Sequence, residues 1–263
     1  MTQPTLFVIN LAGDTERLDW ISRQLDGADI GYERFNAVCP NTLHRLPSNL
    51  KARLAASPLR PGEIGCWASH LLVMQQIVRR DLPYALILED DVRLRAGFKQ
   101  LLTNLDTMPV GWGLLRFAGE TKRAVIPVAQ FGINTGVSLV KYGRIPMGLG
   151  AYAISRRGAE AVLRSAHIGR SAIDGSFRRW WTYDLRTYGL DPLPVEHNAH
   201  GSSSIEALGG VARIRRNGLG RLAYAASRLP GEVASWQFLG AAGWVKAKLA
   251  DVMPAPGTAE PLI

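Results

Sequence analysis

The sequence predicts an α/β fold: a Rossmann-like, mainly parallel sheet with helices on both faces. Three observations carry this. Thr5 to Leu11 and Tyr84 to Leu88 are short, almost wholly apolar runs, the pattern of strands buried on both faces. Thr15 to Leu25 and Glu63 to Arg80 have apolar residues at three- and four-residue spacing, as helices packed on a sheet do. The connections Ala12-Gly13-Asp14 and Asp81-Leu82-Pro83 are short. The order β-α-β-loop-α-β up to residue 91 requires crossovers, hence parallel strands.

The elements follow in order. Asp14 is a fair N-cap for the first helix, whose inward positions are Leu18, Ile21 and Leu25. Tyr32 to Val38 reads as the second strand. Residues 40–60 read as a proline-bearing loop with one short helix. Pro61-Gly62 opens the next helix, on which Glu63, Trp67, His70, Met74 and Ile77 share a face with Cys66 at its edge. Phe98 to Leu105 is a further helix and Trp112 to Phe117 a strand. Residues 119–147 alternate short β-like runs, Ala124 to Val128 and Val137 to Tyr142, with glycine and proline. Gly148 to Ser155 is a glycine-rich lead-in to a strand, followed by a helix from Ser155 to Ala166. An aromatic and basic helix covers Phe177 to Asp184, and Leu190 to Glu196 is a final strand.

The totals limit the function classes. A chain of 263 residues, 47% hydrophobic and 20% charged, is globular. The net charge of +9 favours a polyanionic partner: nucleic acid, an anionic membrane surface or a phosphorylated substrate. Cys39 and Cys66 lie in neither a CxxC nor a Cys/His zinc spacing, so a structural zinc and a disulfide are not expected. The N-terminus does not read as a signal peptide, and no apolar run of about 18 residues is present. The expected location is cytoplasmic.

The stretch that bears chemistry is Glu89-Asp90-Asp91, directly after the second apolar run. Clustered carboxylates at the end of a buried strand repel one another and need a counter-charge. Extended backbone would send Glu89 and Asp91 one way and Asp90 the other. Two carboxylates so placed make a hard oxygen site for Mg²⁺ or Mn²⁺ that keeps positions open for a phosphate. The alternative is a solvated acidic turn. In such sheets ligands sit beyond the carboxyl ends of the strands, where this triplet falls.

Other candidates have paired readings. Arg17, in the first turn of a helix, opposes the helix dipole; it serves an anionic ligand or is a solvated surface arginine. Glu63 and His70, on an apolar face, border a ligand cleft or are satisfied core groups. Asp174 is a general base or an N-cap. Trp180 and Trp181 are a sugar platform or core. The loop from His197 to Ile205, with His197 and His200, completes a metal shell, touches a phosphate or is plain surface. From Val211 to Arg228 there are five arginines and no acid, and Val233 to Val252 carries Trp236, Phe238 and Trp244. Such basic amphipathic segments read as anionic-membrane binders, or as helices packed on the main domain. Pro254 to Ile263 reads as a tail.

Several blocks together resemble glycosyltransferase family 25. They are Val8-Ile9-Asn10-Leu11 followed by Arg17, Pro61 to His70 (PGEIGCWASH), Ile87 to Val92 (ILEDDV), Gly150 to Ser155 (GAYAIS), and Ser203 to Ile205. The resemblance spans roughly residues 5–205, giving a domain at 1–205 and a basic helical extension at 206–263. It implies a GT-A fold, a UDP-sugar donor (most often UDP-galactose), Mn²⁺ or Mg²⁺, and inversion. It implies metal ligation by Glu89 and Asp91, and donor binding by Asn10, Leu11, Arg17, Glu63, Gly65, Ser69, His70 and Asp90. It implies Asp174 as the base, with Asp184 second. The acceptor would be a saccharide or glycolipid of lipopolysaccharide or lipooligosaccharide, met on the inner face of the membrane. The competing readings are an inactive family member that binds sugar or protein, and a nucleic-acid binder, for which no recognised motif is present.

Overall fold

The computed structural model describes residues 3–119, 125–197 and 229–252. Ten strands and seven α-helices are numbered here in chain order within those residues. The first half runs β1 (Leu6–Asn10), α1 (Thr15–Gly27), β2 (Glu33–Asn36), α2 (Ser48–Ala55), α3 (Pro61–Arg79), β3 (Tyr84–Glu89), β4 (Arg93–Leu94) and α4 (Phe98–Leu102). The second runs β5 (Leu114–Arg116), β6 (Val125–Gln130), β7 (Ser138–Tyr142), β8 (Ala151–Ser155), α5 (Arg156–Arg164), α6 (Ile173–Phe177), β9 (Thr187–Asp191), β10 (Val195–Glu196) and α7 (Leu229–Val252).

Local chemistry starts the helices where they start. The Asp14 side chain accepts the Arg17 N–H at 3.3 Å at the head of α1. Pro61 opens α3, and the Glu63 carboxylate reaches back to the Arg60 N–H at 3.0 Å. The Ser155 hydroxyl accepts the Gly158 N–H at 3.1 Å and starts α5 directly from β8.

Eight strands form one sheet in the order β2-β1-β3-β8-β5-β9-β7-β6, and β4 pairs with β10 separately. Pairs β1–β2, β1–β3 and β5–β9 are parallel; β3–β8, β8–β5, β9–β7 and β7–β6 are antiparallel. The sheet is therefore mixed rather than mainly parallel. The reason is β8: all five residues are buried, so it shows the same continuous apolar pattern whichever way it runs.

Side chains alternate between two cores, one on each face. Phe7, Ile9, Ile87, Tyr152 and Leu114 pack under α2, α3, α5 and α6, with Trp67 and Phe177. Leu6, Val8, Leu86, Leu88 and Leu115 pack under α1 and α4, with Phe98. Helices thus cover both faces, as expected from the sequence.

Two other expectations change. The aromatic helix Phe177 to Asp184 is the short α6, which ends at Phe177, followed by a 3-10 turn over Trp180–Thr182. The run Leu190 to Glu196 is split between β9 and β10. α7 packs on the domain: Phe238 lies 5.1 Å from Trp180 and 5.3 Å from Tyr188, and Trp181 lies over Gly231. Trp180 and Trp181 are therefore engaged by α7 and are not an open sugar platform. The backbone of α7 breaks at Gly240; Val233 and Trp236 are exposed before the break, and Val245 and Leu249 after it. No helix among the described residues is long and apolar enough to cross a membrane. Residues 120–124, the loop residues 198–205 with His200, the arginines of 211–228 and the tail after 252 lie outside the described residues.

Gly65 shows how closely α3 meets the sheet. A Cβ there would stand 2.5 Å from the Val38 carbonyl oxygen, and backbone does not give way as a side-chain tip does. Gly65→Ala is expected to destabilise by about 1–3 kcal/mol, read as a lowered denaturation midpoint in urea.

Candidate active site

The carboxyl ends of β1 and β3 lie side by side, with Ile9 paired to Glu89. The next residues, Asn10 and Asp90, therefore face each other. The Asn10 amide donates to Asp90 Oδ2 at 2.8 Å and to the Asp14 carbonyl at 2.9 Å. Its oxygen accepts from Arg34 Nε at 3.1 Å and Nη2 at 2.7 Å. From the first turn of α1, Arg17 Nη1 donates to Asp90 Oδ1 at 2.9 Å and Nη2 to Asp91 Oδ2 at 3.3 Å. Arg17, Asp90 and Asp91 are all buried. Burial pushes the Asp90 carboxyl up to about 6, although Asn10 and Arg17 both favour its charged form.

Glu89 points elsewhere. Its Oε1 lies 3.4 Å from His70 Nε2 and its Oε2 lies 3.3 Å from His197 Nε2. His70 Nδ1 lies 2.8 Å from the Tyr152 hydroxyl. Burial disfavours the Glu89 carboxylate, but the hydrogen bonds and charges of His197 and His70 outweigh it and hold its carboxyl well below the usual range. Burial works to lower His197, yet its pairing with Glu89 raises it overall. Burial and then the charge of Glu89 push the Asp91 carboxyl up.

One atom in this cluster is unsatisfied: Asp91 Oδ1 is buried with no hydrogen-bond partner. Glu89, Asp91 and His197 each offer a ligand atom within 4.8 Å of the others. Two carboxylate oxygens and an imidazole suit a divalent ion, the oxygens favouring Mn²⁺ or Mg²⁺ and the imidazole shifting the balance to Mn²⁺. The residues fit such an ion, and the orphaned oxygen is where a cation would be felt most.

His197 is seated by glycine. A Cβ on Gly150 would stand 2.1 Å from His197 Cδ2 and 3.0 Å from Val92. Gly150→Ala is expected to displace the imidazole and weaken Mn²⁺ binding by about 10- to 100-fold, measured by metal titration, with the fold intact by circular dichroism.

Beside the cluster, a cleft of about 580 Å³ opens at the carboxyl margin of β1 and β2. Leu11, Gly13, Asp14, Val38, Cys39 and Thr42 are among its walls. Its size suits a small ligand.

The other sequence candidates separate. Glu63 is buried and caps α3. Ser69 accepts the Val38 N–H at 2.8 Å and donates to the Gly65 carbonyl at 2.8 Å, so with Gly65 it fixes α3 against the wall of the cleft. Asp174 lies in the first turn of α6, where Oδ1 accepts from the Gly175 N–H at 2.6 Å and Oδ2 from the Gly148 N–H at 3.4 Å. α6 leans on the site through Phe177, which meets Tyr152 edge-on. Asp184 is not brought in. It precedes β9, whose Thr187 is level with Leu114, Ile154 and Ala85 at the amino end of β3. It pairs there with Arg157 at 3.0 Å, on the sheet margin opposite Glu89.

Arg116 escaped the sequence reading. It is buried at the carboxyl end of β5, and its Nη2 donates to the carbonyls of Ala118 and Met147, both at 3.3 Å, and of Gly148. It thereby fastens the turn that carries Gly148 and Gly150 beneath His197. Burial pushes its guanidinium down, and its Nε and Nη1 have no partner. The available signal was a lone charged residue at the end of the apolar run Leu114-Leu115.

Residues 3–175 match the model of glycosyltransferase family 25, described as LPS biosynthesis protein. The chain belongs to glycosyltransferase family 25. It is 31% identical over 180 residues to mouse (Mus musculus) procollagen galactosyltransferase 2, covering 63% of this chain and 28% of that protein. It is 27% identical over 168 residues to lipooligosaccharide biosynthesis protein lic2B of Haemophilus influenzae, covering 62% of each chain. A third family 25 relative is the probable inactive glycosyltransferase 25 family member 3 of Bos taurus, 27% identical over 153 residues, covering 51% of this chain and 25% of that protein. The chain spans less than two thirds of the length of these curated relatives.

Proposed function

We propose that this family 25 chain is an inverting, metal-dependent glycosyltransferase of GT-A type that transfers galactose from UDP-galactose to a saccharide acceptor. The observation that carries the reading is the buried, unpartnered Asp91 Oδ1 beside Glu89 and His197, at the lip of a cleft. Glu89, Asp91 and His197 would hold Mn²⁺ or Mg²⁺, which when bound neutralises charge on the leaving diphosphate. The nucleoside lies in the cleft behind Leu11 and Val38. Asn10 and Arg17 keep Asp90 and Asp91 in place under it. Asp174 takes the proton from the acceptor hydroxyl as the sugar is transferred, a step worth about 10²- to 10⁴-fold.

Galactose as the sugar is supported by the procollagen galactosyltransferase relative, and a lipooligosaccharide-type glycolipid as the acceptor by the lipooligosaccharide biosynthesis relative. The exposed apolar residues of α7, which follows the arginine-rich 211–228 stretch in sequence, support docking on an anionic membrane at the inner face of the cell. A second reading, a sugar- or protein-binding module without turnover, is supported by the similarity to the inactive bovine protein. One experiment separates the two: UDP release with Mn²⁺ and a panel of UDP-sugars, with mass analysis of the product. Release from UDP-galactose above all others supports transfer; no release from any sugar supports the binding module.

A further inference from the structure

The glycosyl-transfer reading uses Glu89 only on its Asp91–His197 side. On the other side lies a different donor set. Cys66 and His70 are four residues apart on α3, so they project from one face. The Cys66 sulfur, a His70 ring nitrogen and a Glu89 oxygen all lie within 4.8 Å of one another. His70 presents Nε2 to Glu89 while the Tyr152 hydroxyl engages Nδ1, the way an outer partner orients a metal-bound imidazole. A tetrahedral zinc ion holds its donors roughly 3.5 Å apart; His70 Nε2 and Glu89 Oε1 already stand 3.4 Å apart, and the Cys66 sulfur completes the group within 4.8 Å. A thiolate and an imidazole beside one carboxylate favour Zn²⁺ over Mg²⁺, and three ligands leave the fourth position open. Asp174, Glu63 and Asp91 add negative charge around the sulfur, which attracts a dication.

We propose that Cys66, His70 and Glu89 form a second metal site, suited to zinc, which shares Glu89 with the Asp91–His197 group. The thiol loses its proton to solvent as the metal–sulfur bond forms. Because Glu89 stands between the two groups, an ion on the sulfur side competes with one on the oxygen side. The competition rests on the metal reading given above; the sulfur site itself does not. Sequence spacing hides it, because the third ligand comes from β3, 19 residues beyond His70.

Co²⁺ alone, titrated into the full chain without nucleotide, tests the site. It is expected to give a thiolate-to-cobalt charge-transfer band at one equivalent, which Zn²⁺ abolishes. Cys66→Ser removes the band; Cys39→Ser and His197→Ala keep it. No band in the native chain, or a band that survives Cys66→Ser, overturns the proposal. A measurement on the unmutated chain guards against a misfolded variant: Zn²⁺ is expected to protect Cys66 from alkylation by iodoacetamide, read by mass spectrometry, and equal alkylation with and without zinc counts against the site. For the shared ligand, Zn²⁺ is expected to lower Mn²⁺ affinity by on the order of 5- to 150-fold more in the native chain than in Cys66→Ser, where it competes only directly at the Asp91–His197 group, read by electron paramagnetic resonance. Equal lowering in the two chains, or none in either, overturns the sharing. A cobalt band with no Mn²⁺ binding at all supports the sulfur site and counts against the metal reading of Asp91 and His197.

Discussion

Glu89→Gln is expected to lower UDP-galactose turnover by on the order of 10³-fold. The change keeps the side chain's shape and one acceptor oxygen but removes the charge that both His70 and His197 face. Lewis-acid neutralisation of a leaving group is worth several kcal/mol, and each 1.36 kcal/mol is about tenfold in rate. Mn²⁺ affinity falls with the rate, because the same carboxylate is one of the three grouped ligand atoms. Steady-state UDP release and a Mn²⁺ titration on the same preparation check both. Turnover within a few-fold of native would place the charge that matters elsewhere.

Asp174→Asn is expected to lower transfer by about 10²- to 10⁴-fold while leaving UDP and Mn²⁺ binding near native. Asparagine keeps an oxygen to accept the Gly175 N–H and gives up only the weaker 3.4 Å bond from Gly148. The start of α6 therefore survives, and what is lost is the ability to take a proton. Single-turnover transfer alongside calorimetry of UDP separates the two effects. Normal transfer would reject Asp174 as the base. Asp184→Asn serves as the comparison and is expected to change little, since Asp184 is an exposed partner of Arg157 on the far margin.

The first half of the fold was legible because its signals are local. An apolar run, a capped helix and a short turn each fix their own segment, and the order β-α-β then fixes parallel pairing. Strand direction in the second half was not legible: Ala151 to Ser155 is buried on both faces and would read the same in either direction. The aromatic stretch Phe177 to Tyr183 misled for a related reason. Its tryptophans answer to Phe238 and Gly231 in α7, and nothing near them in sequence reports a partner some 50 residues on.

In the site, the acidic triplet was visible because three carboxylates after an apolar run are costly by themselves. Alternation correctly separated Glu89 from Asp90, yet Asp91 sits beyond the strand's end and gives one oxygen to Arg17. The partners that meet the acids are thus protein: Arg17 from α1, His70 from α3 and His197 after β10. Those partners lie 73, 19 and 108 residues from the acids they meet, a distance no local pattern spans. Gly148 to Ser155 was legible as a glycine-rich lead-in to a strand; what the glycine at 150 makes room for is the His197 ring.

The central claim is that a divalent ion at Glu89, Asp91 and His197 grips the diphosphate of a sugar nucleotide. Calorimetry of UDP binding, with and without Mn²⁺, on the native chain and on Asp91→Ala, tests it most directly. Tight binding only where Mn²⁺ and Asp91 are both present is the predicted result; the same UDP affinity in all four titrations would contradict it.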